Sequence, residues 1–367
     1  MQTSFEREEL LKALSLVAGV VERRQTLPIL SYVVLNQEGN VATLTGTDLE
    51  IEVIASAKSS TTVSGELTLP ARKLLDICRA LPNGAVLEIK RDGEKALVKA
   101  GRSRFSLLTL PTSDFPRLEA GSWDVTLHAS QGELHKAMSQ TQFCMAQQDV
   151  RYYLNGLLVE MKGARLRFVG TDGHRMAVTE IGVKAEGKSD GQVIVPRKGV
   201  QEIVRLLDAD SSDDAVIRIG NNHIQVQTGN IVFTSKLIDG RYPDYNKVLP
   251  GAQSRHATLD REAFREALGR AAILSNEKYR GVRLEFGGKT LKISAHNPEQ
   301  EEALEEIGVE YQGEALEIGF NVTYMLDAIG ALGTEKVQIG LNEASASCLL
   351  SGPGQEYPKY VVMPMRL

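Results

Sequence analysis

Helical and alternating hydrophobic patterns follow one another in a fixed order along the chain. Residues 6–22 carry apolar side chains at 10, 11, 14, 17, 20 and 21, close to the 3.6-residue period of a helix. The following VVLNQEGNVATLTGTDLEIEVIA alternates around a Glu-Gly-Asn turn, which predicts a hairpin and a third strand. A second helix over 71–81 and another meander with an Arg-Asp-Gly turn complete the series. The pattern predicts the α+β class, with two helices packed on mostly antiparallel sheets.

The same series occurs three times. REELLKAL, QGELHKAM and REAFREAL open it, and LPARKLLDICRALP, VPRKGVQEIVRLLD and FNVTYMLDAIGALG form its second helix. FSLLTLPTSDFPRL, FTSKLIDGRYPDYNKVLP and LLSGPGQEYPKYVVMPM close it. We therefore predict three repeated domains of about 120 residues, at 1–121, 122–250 and 251–367, called copies one, two and three below.

Composition narrows the class of protein. The 367 residues carry a net charge of −5 and contain no apolar run long enough to span a membrane. The N-terminus MQTSFEREELLKAL is acidic and amphipathic, unlike a signal peptide, so we expect a cytoplasmic protein. Cys78, Cys144 and Cys348 are too widely spaced for a disulfide framework or a metal knuckle, and we expect them to be buried.

The stretch FVGTDGHRMAV at 168–178 resembles a cluster of catalytic residues. Copy one has TLTGTDLEIEV at the same place, so the Thr-Asp pair predicts a repeated turn whose Asp accepts backbone N–H groups. His174 and Arg175 are present in copy two alone, so their role is local to that copy. No nucleophile motif accompanies them, the other histidines lack metal-ligand spacing, and no phosphate-binding loop is present. The sequence predicts no catalytic residue, no metal and no cofactor.

Charge is distributed unevenly. The six helical segments, taken as 6–24, 71–81, 131–149, 197–208, 261–280 and 321–332, sum to +3, which leaves −8 for the rest. The sixth segment departs from this trend because Asp327 is its only charged residue. Two interpretations stay open at this point: ordinary solvated helix faces, or a basic surface for an anionic partner.

Many separated segments resemble one family. TLPILSYVVL, TDLEIEV, GRSRFSLLTLP, TDGHRMAV, PRKGVQEIVRLL, DGRYPDY, AILSNEKYRGVRL, NPEQEEA and YVVMPMRL occur in the order found in the β subunit of bacterial DNA polymerase III, the sliding clamps. The resemblance spans essentially the whole chain. It implies the DNA clamp fold, a head-to-tail homodimeric ring with helices lining the hole, and a non-catalytic processivity factor that encircles duplex DNA.

The resemblance also implies partners and three sets of residues. Partners are double-stranded DNA without sequence preference, a second copy of the chain, and short peptides of the replicative polymerase, the clamp loader, other polymerases and repair proteins, with no membrane. The peptide pocket is expected at Leu154, Thr171, Gly173, His174, Arg175, Met176, Pro243, Lys247, Val248, Ser345, Val361, Met363, Pro364, Met365 and Arg366. The chain departs from the family pattern at three of these positions, where the family has Leu at 176, Arg at 247 and Val at 345. These departures are expected to change the preference for particular peptides.

DNA contacts are expected at Arg24, Arg72, Lys73, Arg79, Gln148, Arg151, Tyr152, Tyr153, Arg197, Lys198, Arg205, Lys278 and Arg280. Tyr152 and Tyr153 have two readings, stacking on single-stranded template or strand packing. The dimer interface is expected at Lys73, Arg102, Arg104, Phe105, Leu107, Ile273, Leu274, Glu299, Glu301, Glu302 and Glu305. Two other hypotheses remain: a nuclease working through Asp172 and His174, and a scaffold that binds only proteins.

Overall fold

A computed structural model describes residues 1–21, 27–118, 121–187 and 190–366. Each copy contributes two α-helices within these residues. They are α1 (Arg7–Val17) and α2 (Ala71–Ala80), α3 (Gln131–Ser139) and α4 (Arg197–Leu206), and α5 (Arg261–Ile273) and α6 (Val322–Ala331). The predicted α+β class with six helices is confirmed. None of the described helices is long and apolar enough to cross a membrane.

Nine described strands belong to each copy. Copy one has β1 (Gln2–Glu6), β2 (Tyr32–Glu38), β3 (Val41–Thr47), β4 (Ile51–Lys58), β5 (Ser60–Val63), β6 (Gly65–Pro70), β7 (Val86–Asp92), β8 (Lys95–Ala100) and β9 (Ser103–Leu108). Copy two has β10 (Trp123–Ser130), β11 (Gly156–Lys162), β12 (Arg165–Thr171), β13 (Arg175–Gly182), β14 (Lys184–Gly187), β15 (Gly191–Pro196), β16 (Asp214–Gly220), β17 (His223–Thr228) and β18 (Ile231–Lys236). Copy three has β19 (Arg255–Asp260), β20 (Gly281–Gly287), β21 (Thr290–His296), β22 (Glu302–Gly308), β23 (Glu310–Gln312), β24 (Leu316–Asn321), β25 (Lys336–Leu341), β26 (Cys348–Ser351) and β27 (Lys359–Val362).

The helices bury the stripe that their sequence pattern predicts. Buried residues lie at 10, 13, 14 and 17 in α1 and at 264, 267, 268 and 271 in α5, so one face of each helix meets its sheets. Asp260 accepts a hydrogen bond from Ala263 N at the start of α5, and Asn321 does the same for Thr323 N at the start of α6. The long segments predicted at 6–24, 131–149 and 261–280 are wrong at their C-terminal ends, because irregular turns follow Val17, Ser139 and Ile273.

The chain forms two compact units. The first comprises Met1–His135, Val183–Ser189 and Lys198–Leu237, and the second comprises Lys136–Gly182, Asp190–Arg197 and Ile238–Leu367. Each unit contains a sheet that crosses from one copy to the next. In the first unit the order is β14-β10-β16-β17-β18-β4-β3-β2-β6, and in the second it is β15-β11-β12-β13-β27-β26-β25-β19-β23.

Two smaller sheets complete the units. Sheet β5-β1-β7-β8-β9 belongs to the first unit and β22-β21-β20-β24 to the second. Every copy thus consists of a five-stranded part and a four-stranded part with the same strand order. This order corrects the alignment of the closing segments: β9 and β18 correspond to β27, KYVV, whereas LLS of β26 corresponds to β8 and β17. The expected burial of Cys78, Cys144 and Cys348 is confirmed.

Candidate functional site

The Thr-Asp turn has the same construction in copies one and two. The Asp172 carboxylate accepts hydrogen bonds from His174 N at 2.9 Å and Arg175 N at 3.0 Å, and the Thr171 hydroxyl donates to Arg175 O. The Asp48 carboxylate accepts two equivalent bonds from Glu50 N and Ile51 N. The prediction of a repeated Asp-stabilised turn is confirmed, so Asp172 is committed to the backbone of its own turn.

This turn places copy two beside the last strand of copy three. Strands β13 and β27 are antiparallel neighbours, with Arg175 opposite Val362 and Met176 opposite Val361. Beyond the ladder, Met363 N donates to His174 O at 2.9 Å. Residues that are far apart in sequence therefore meet at the end of this ladder, where His174 and Met363 are neighbours and form one edge of the site.

The floor beneath this edge is apolar. Leu154, Met176 and Val361, all predicted pocket residues, are buried in one cluster with Tyr242 and Tyr245. Burial raises the pKa of Tyr245 to about 12, and its hydroxyl donates to the Glu160 carboxylate. The floor is therefore a packed and hydrogen-bonded surface.

The rim above the floor is exposed. Met363 is 46% exposed and Val248 is 48% exposed, values that leave two apolar side chains available to a ligand. Lys247 is exposed and lies 3.8 Å from Asp244. His174, Gly173, Pro243 and Ser345 are exposed as well.

The end of the predicted pocket lies at a second cleft. Met365 N donates to Gly319 O of β24, which fixes the terminal segment against copy three. Met365 and Arg366 line a cleft of about 380 Å³ together with Tyr279 and His296. Pro364 is half-buried between these two places.

Arg175 is placed differently from the other predicted pocket residues. Its side chain is 13% exposed and its guanidinium binds the carboxylates of Asp172 and Asp327. The sequence reasoning missed Asp327 as part of this site. Its only signal was the single negative charge on an otherwise uncharged helix.

Several predicted DNA-binding cations also donate to backbone carbonyls. Arg72 binds Val21 O and Arg205 binds Leu16 O in the first unit. Arg197 binds Met145 O at 2.9 Å and Arg280 binds Ala272 O at 3.2 Å in the second. The acceptors Leu16 O and Ala272 O lie in the last turns of α1 and α5, and Val21 O and Met145 O lie after α1 and α3. These guanidinium groups therefore have a structural role besides any external contact.

The other predicted cations have different surroundings. Lys198 pairs with Asp48 at 2.5 Å. Lys73 and Arg79 are exposed on α2, and the Lys278 ammonium lies 5.2 Å from the Tyr279 ring centre. Arg24 lies outside the described residues.

The predicted segment 148–153 is a polar surface loop. Arg151 donates to the Asp149 carboxylate, and these hydrogen bonds lower the pKa of Asp149 to about 2. Gln148 has a positive φ of 57°. Tyr152 is 56% exposed, and stacking on single-stranded template stays a prediction for it, whereas Tyr153 packs against the pocket floor.

The predicted interface residues lie on two edge strands and beside them. Arg102 is exposed just before β9, and Arg104 is exposed on it. In the same strand Phe105 is half-buried and Leu107 is buried, whereas Leu108 is 62% exposed. In copy three, Ile273 is 76% exposed and Leu274 is half-buried. Glu299, Glu301 and Glu302 are exposed. Glu305 binds Arg270 at 2.8 Å, and this hydrogen bond lowers the pKa of its carboxyl group.

Sequence models of three domains match successive parts of the chain. The DNA polymerase III beta subunit N-terminal domain matches residues 1–119, the central domain 128–244 and the C-terminal domain 246–366. The chain belongs to the DNA polymerase III β subunit family. The resemblance stated from the sequence is thereby confirmed.

Relatives and solved structures agree with this family. The beta sliding clamp of Pseudomonas putida is 53% identical and that of Escherichia coli K12 is 47% identical, each over the full length of both chains. The crystal structure of the DNA polymerase III subunit beta from Pseudomonas aeruginosa has a TM-score of 0.97 at 51% identity, with both chains fully covered. A Pseudomonas aeruginosa clamp bound to griselimycin has the same TM-score and identity.

Family membership decides the class of function. The chain has the DNA clamp fold in three domains, and it is a sliding clamp, a non-catalytic processivity factor of DNA replication. The nuclease hypothesis built on Asp172 and His174 is not supported by this family, and the Asp172 carboxylate is already committed to its turn.

Proposed function

We propose that two copies of this chain close head to tail into a ring that encircles duplex DNA in the cytoplasm and tethers the replicative polymerase. The three domains are proposed at 1–121, 122–250 and 251–367. Their helices line the hole, and partner proteins dock by short peptides in the pocket between copies two and three.

The pairing of strands between successive copies carries this proposal. Strand β18 of copy two pairs with β4 of copy one, with Phe233 opposite Val53. Strand β27 of copy three pairs with β13 of copy two, with Tyr360 opposite Ala177. In both cases the last strand of one copy pairs with the four-stranded part of the copy before it. Its partner is the third strand of that part in chain order.

The same pairing rule applies to one more pair of strands, in copies one and three. The equivalent strands β9 and β22 are both sheet edges within the described chain. Exposed edge strands favour pairing with another chain. If a second subunit supplies the missing partner, β9 joins β22 of its neighbour, and two such junctions close the ring.

Repeat symmetry also supports a register for this junction. Phe233, Tyr360 and Phe105 hold the same place in their five-stranded parts, opposite Val226, Leu350 and Val98. Their partners Val53 and Ala177 align across the four-stranded parts with Leu69 and Val195, each two residues before the second helix of its copy. The same position in copy three is Phe320, which aligns across β20 and β21 with Ala303. Phe105 is therefore proposed to lie opposite Ala303 of the neighbour. In this register Arg102 and Arg104 approach the acidic strand β22, so charge complementarity supports the pairing.

The helices support a nonspecific DNA-binding surface. Helices α2 and α4 each carry +2 and α5 carries +1, whereas α1 and α3 are neutral and α6 carries −1. The helices therefore total +4 in a chain of −5. Attraction between such cations and phosphate is independent of base sequence, which permits sliding.

The pocket is proposed to bind griselimycin, as its Pseudomonas aeruginosa relative does, and short peptides of polymerases, the clamp loader and repair proteins. The apolar floor with exposed Met363 and Val248 suits apolar side chains of such ligands. Flexible methionines suit several partners. Met176, Lys247 and Ser345 are proposed to tune the preference.

Loading on circular DNA tests the proposal. A clamp loader and ATP are supplied with the full chain and a nicked circle, and the retained protein is measured by gel filtration. We expect retention on the circle and loss after the circle is cut once, because a ring is held by topology. Loss from the intact circle, or retention on the linear product, would contradict the ring. Retention nowhere would favour the protein-only scaffold, and metal-dependent DNA cleavage abolished by His174→Ala would favour the nuclease.

A further inference from the structure

The guanidinium of Arg175 is surrounded by groups from both copies of the second unit. Its Nε binds the Asp172 carboxylate at 3.1 Å, one terminal nitrogen binds the Asp327 carboxylate at 2.5 Å, and the other binds Phe143 O at 2.8 Å. The guanidinium carbon lies 4.5 Å from the ring centre of Tyr324 and 5.5 Å from that of Phe143. Three of the five N–H donors of this side chain are thus bound within the protein, and the side chain is 13% exposed.

The charges around Arg175 keep it ionised. Burial opposes the charge and is the largest single effect, but the Asp327 and Asp172 carboxylates favour it, and the pKa of Arg175 lies above its usual value. Burial raises the pKa of the neighbouring Cys144 thiol, so this group stays neutral and is not a counter-charge. The two carboxylates are therefore the counter-charges of a buried cation, and removing one leaves the cation undercompensated.

Asp327 is the only charged residue of α6. Its side chain is 38% exposed, yet its carboxylate is directed to Arg175. This contact accounts for the one negative charge of α6. The one charged side chain of α6, Asp327, therefore binds copy two.

The backbone of Arg175 holds the rim of the pocket. Its carbonyl accepts from Thr171, its N–H donates to Asp172, and it lies opposite Val362 in the β13–β27 ladder. The residue before it accepts the hydrogen bond from Met363 N. Arg175 is therefore held at two points, because its side chain binds α6 and its main chain pairs in the ladder.

We propose that Asp327 is a positioning residue for the peptide pocket. By binding the guanidinium of Arg175, it connects α6 to strand β13 and fixes the spacing between His174 and Met363. Arg175 then acts as a strut under the pocket rim. This inference rests on the proposed pocket function.

Binding of griselimycin to the full chain tests the inference by isothermal titration calorimetry. Asp327→Asn keeps the shape but removes the charge, and we expect the affinity to fall about two- to thirtyfold, the range found for residues that act through a coupled network. Asp327→Glu restores the charge and should recover most of the affinity. Glu262→Gln is the matched control, because Glu262 also pairs with an arginine on a helix of copy three, Arg265, away from the pocket.

Hydrogen exchange supplies a readout that needs no ligand. Asp327→Asn should speed amide exchange in the segment containing Met363, while exchange in β21 stays as in the wild type. Unchanged affinity and unchanged exchange in Asp327→Asn would overturn the inference, as would equal losses in Glu262→Gln. If the wild type itself fails to bind griselimycin, the proposed pocket is wrong, and hydrogen exchange alone decides whether Asp327 positions the rim.

Discussion

Asp48 and Asp172 occupy the same place in two copies, and both carboxylates bind the backbone of their own turn. The residue that follows Asp172 in the turn of copy two is Gly173, with a φ of 88°. Copy one has Leu49 there, at a φ of 82°, a conformation that costs an L-residue roughly 1–2 kcal/mol. The turn geometry is therefore retained in copy one despite its cost, while the adjoining residues have diverged.

Glu52 is the equivalent of the pocket residue Met176 and is 6% exposed. Burial raises the pKa of its carboxyl group above the usual value, although Leu118 N donates to it. The folded state therefore holds the proton more tightly than the unfolded state. Stability from this group is lost as pH rises from about the unfolded pKa through the folded pKa, and the loss remains at neutral pH.

We therefore expect Glu52→Gln to be more stable than the wild type at pH 7, with the difference vanishing near pH 4. Urea unfolding followed by the fluorescence of Trp123, the only tryptophan and in the same unit, measures this. Glu50→Gln, at an exposed position 3.7 Å from Lys236, is the control and should lack this gain. A gain in Glu52→Gln that persists unchanged at pH 4 would contradict the assignment.

The two methionines at the end of the chain are expected to contribute unequally to ligand binding. Met363 is exposed beside His174, whereas Met365 is hydrogen-bonded to Gly319 and lines a different cleft. The double variant Met363→Ala, Met365→Ala should weaken griselimycin binding about tenfold or more, the loss expected of a central apolar anchor. Titration of the single variants should assign most of this loss to Met363. Unchanged affinity in the double variant would show that the pocket lies elsewhere.

At the scale of elements, the β9–β22 register predicts a specific cross-link. Ser106 and Glu302 should lie directly opposite one another across the subunit junction, with Cα atoms about 4.5–5.5 Å apart. Ser106→Cys with Glu302→Cys should therefore form an intersubunit disulfide under mild oxidation, seen on a non-reducing gel. The native cysteines are buried and should not contribute.

A shifted pair checks the register. Ser106→Cys with Leu304→Cys places the thiols two residues out of step, so it should cross-link slowly. Faster cross-linking of this pair than of Ser106 with Glu302 would exclude the proposed register but would leave head-to-tail pairing in another register.

At the scale of the whole molecule, closure depends on a few apolar anchors. Phe233 and Tyr360, the equivalents of Phe105, are buried at the two junctions within the chain. Phe105→Ala or Leu274→Ala should therefore lower dimer affinity roughly tenfold or more, by loss of a buried anchor. Analytical sedimentation over a concentration series measures this. Val150→Ala, at an exposed position of copy two, is the control, and an unchanged dimer in both anchor variants would contradict the interface.

The sequence predicted element order better than element ends. The stripe of α1 was visible, but its extension beyond Val17, where the helix ends, was wrong because apolar residues 20 and 21 continue the period. Those residues are buried in the turn that follows, so their hydrophobicity reports burial and not helix. Similarly, KYVV and not LLS is the equivalent of β9, because strand pairing and not local similarity defines the alignment.

The sequence by itself determined the threefold repeat, the α+β class, the Asp-stabilised turns and the family, because each depends on local pattern or on residue identity. Only the tertiary structure decided that Arg175 is bound to Asp327, that Met363 adjoins His174 while Met365 lies at another cleft, and which strand edges stay unpaired. These features join residues that are distant in sequence and have no common period. Their positions follow from the packing of whole copies against one another, which the order of residues along one copy does not express.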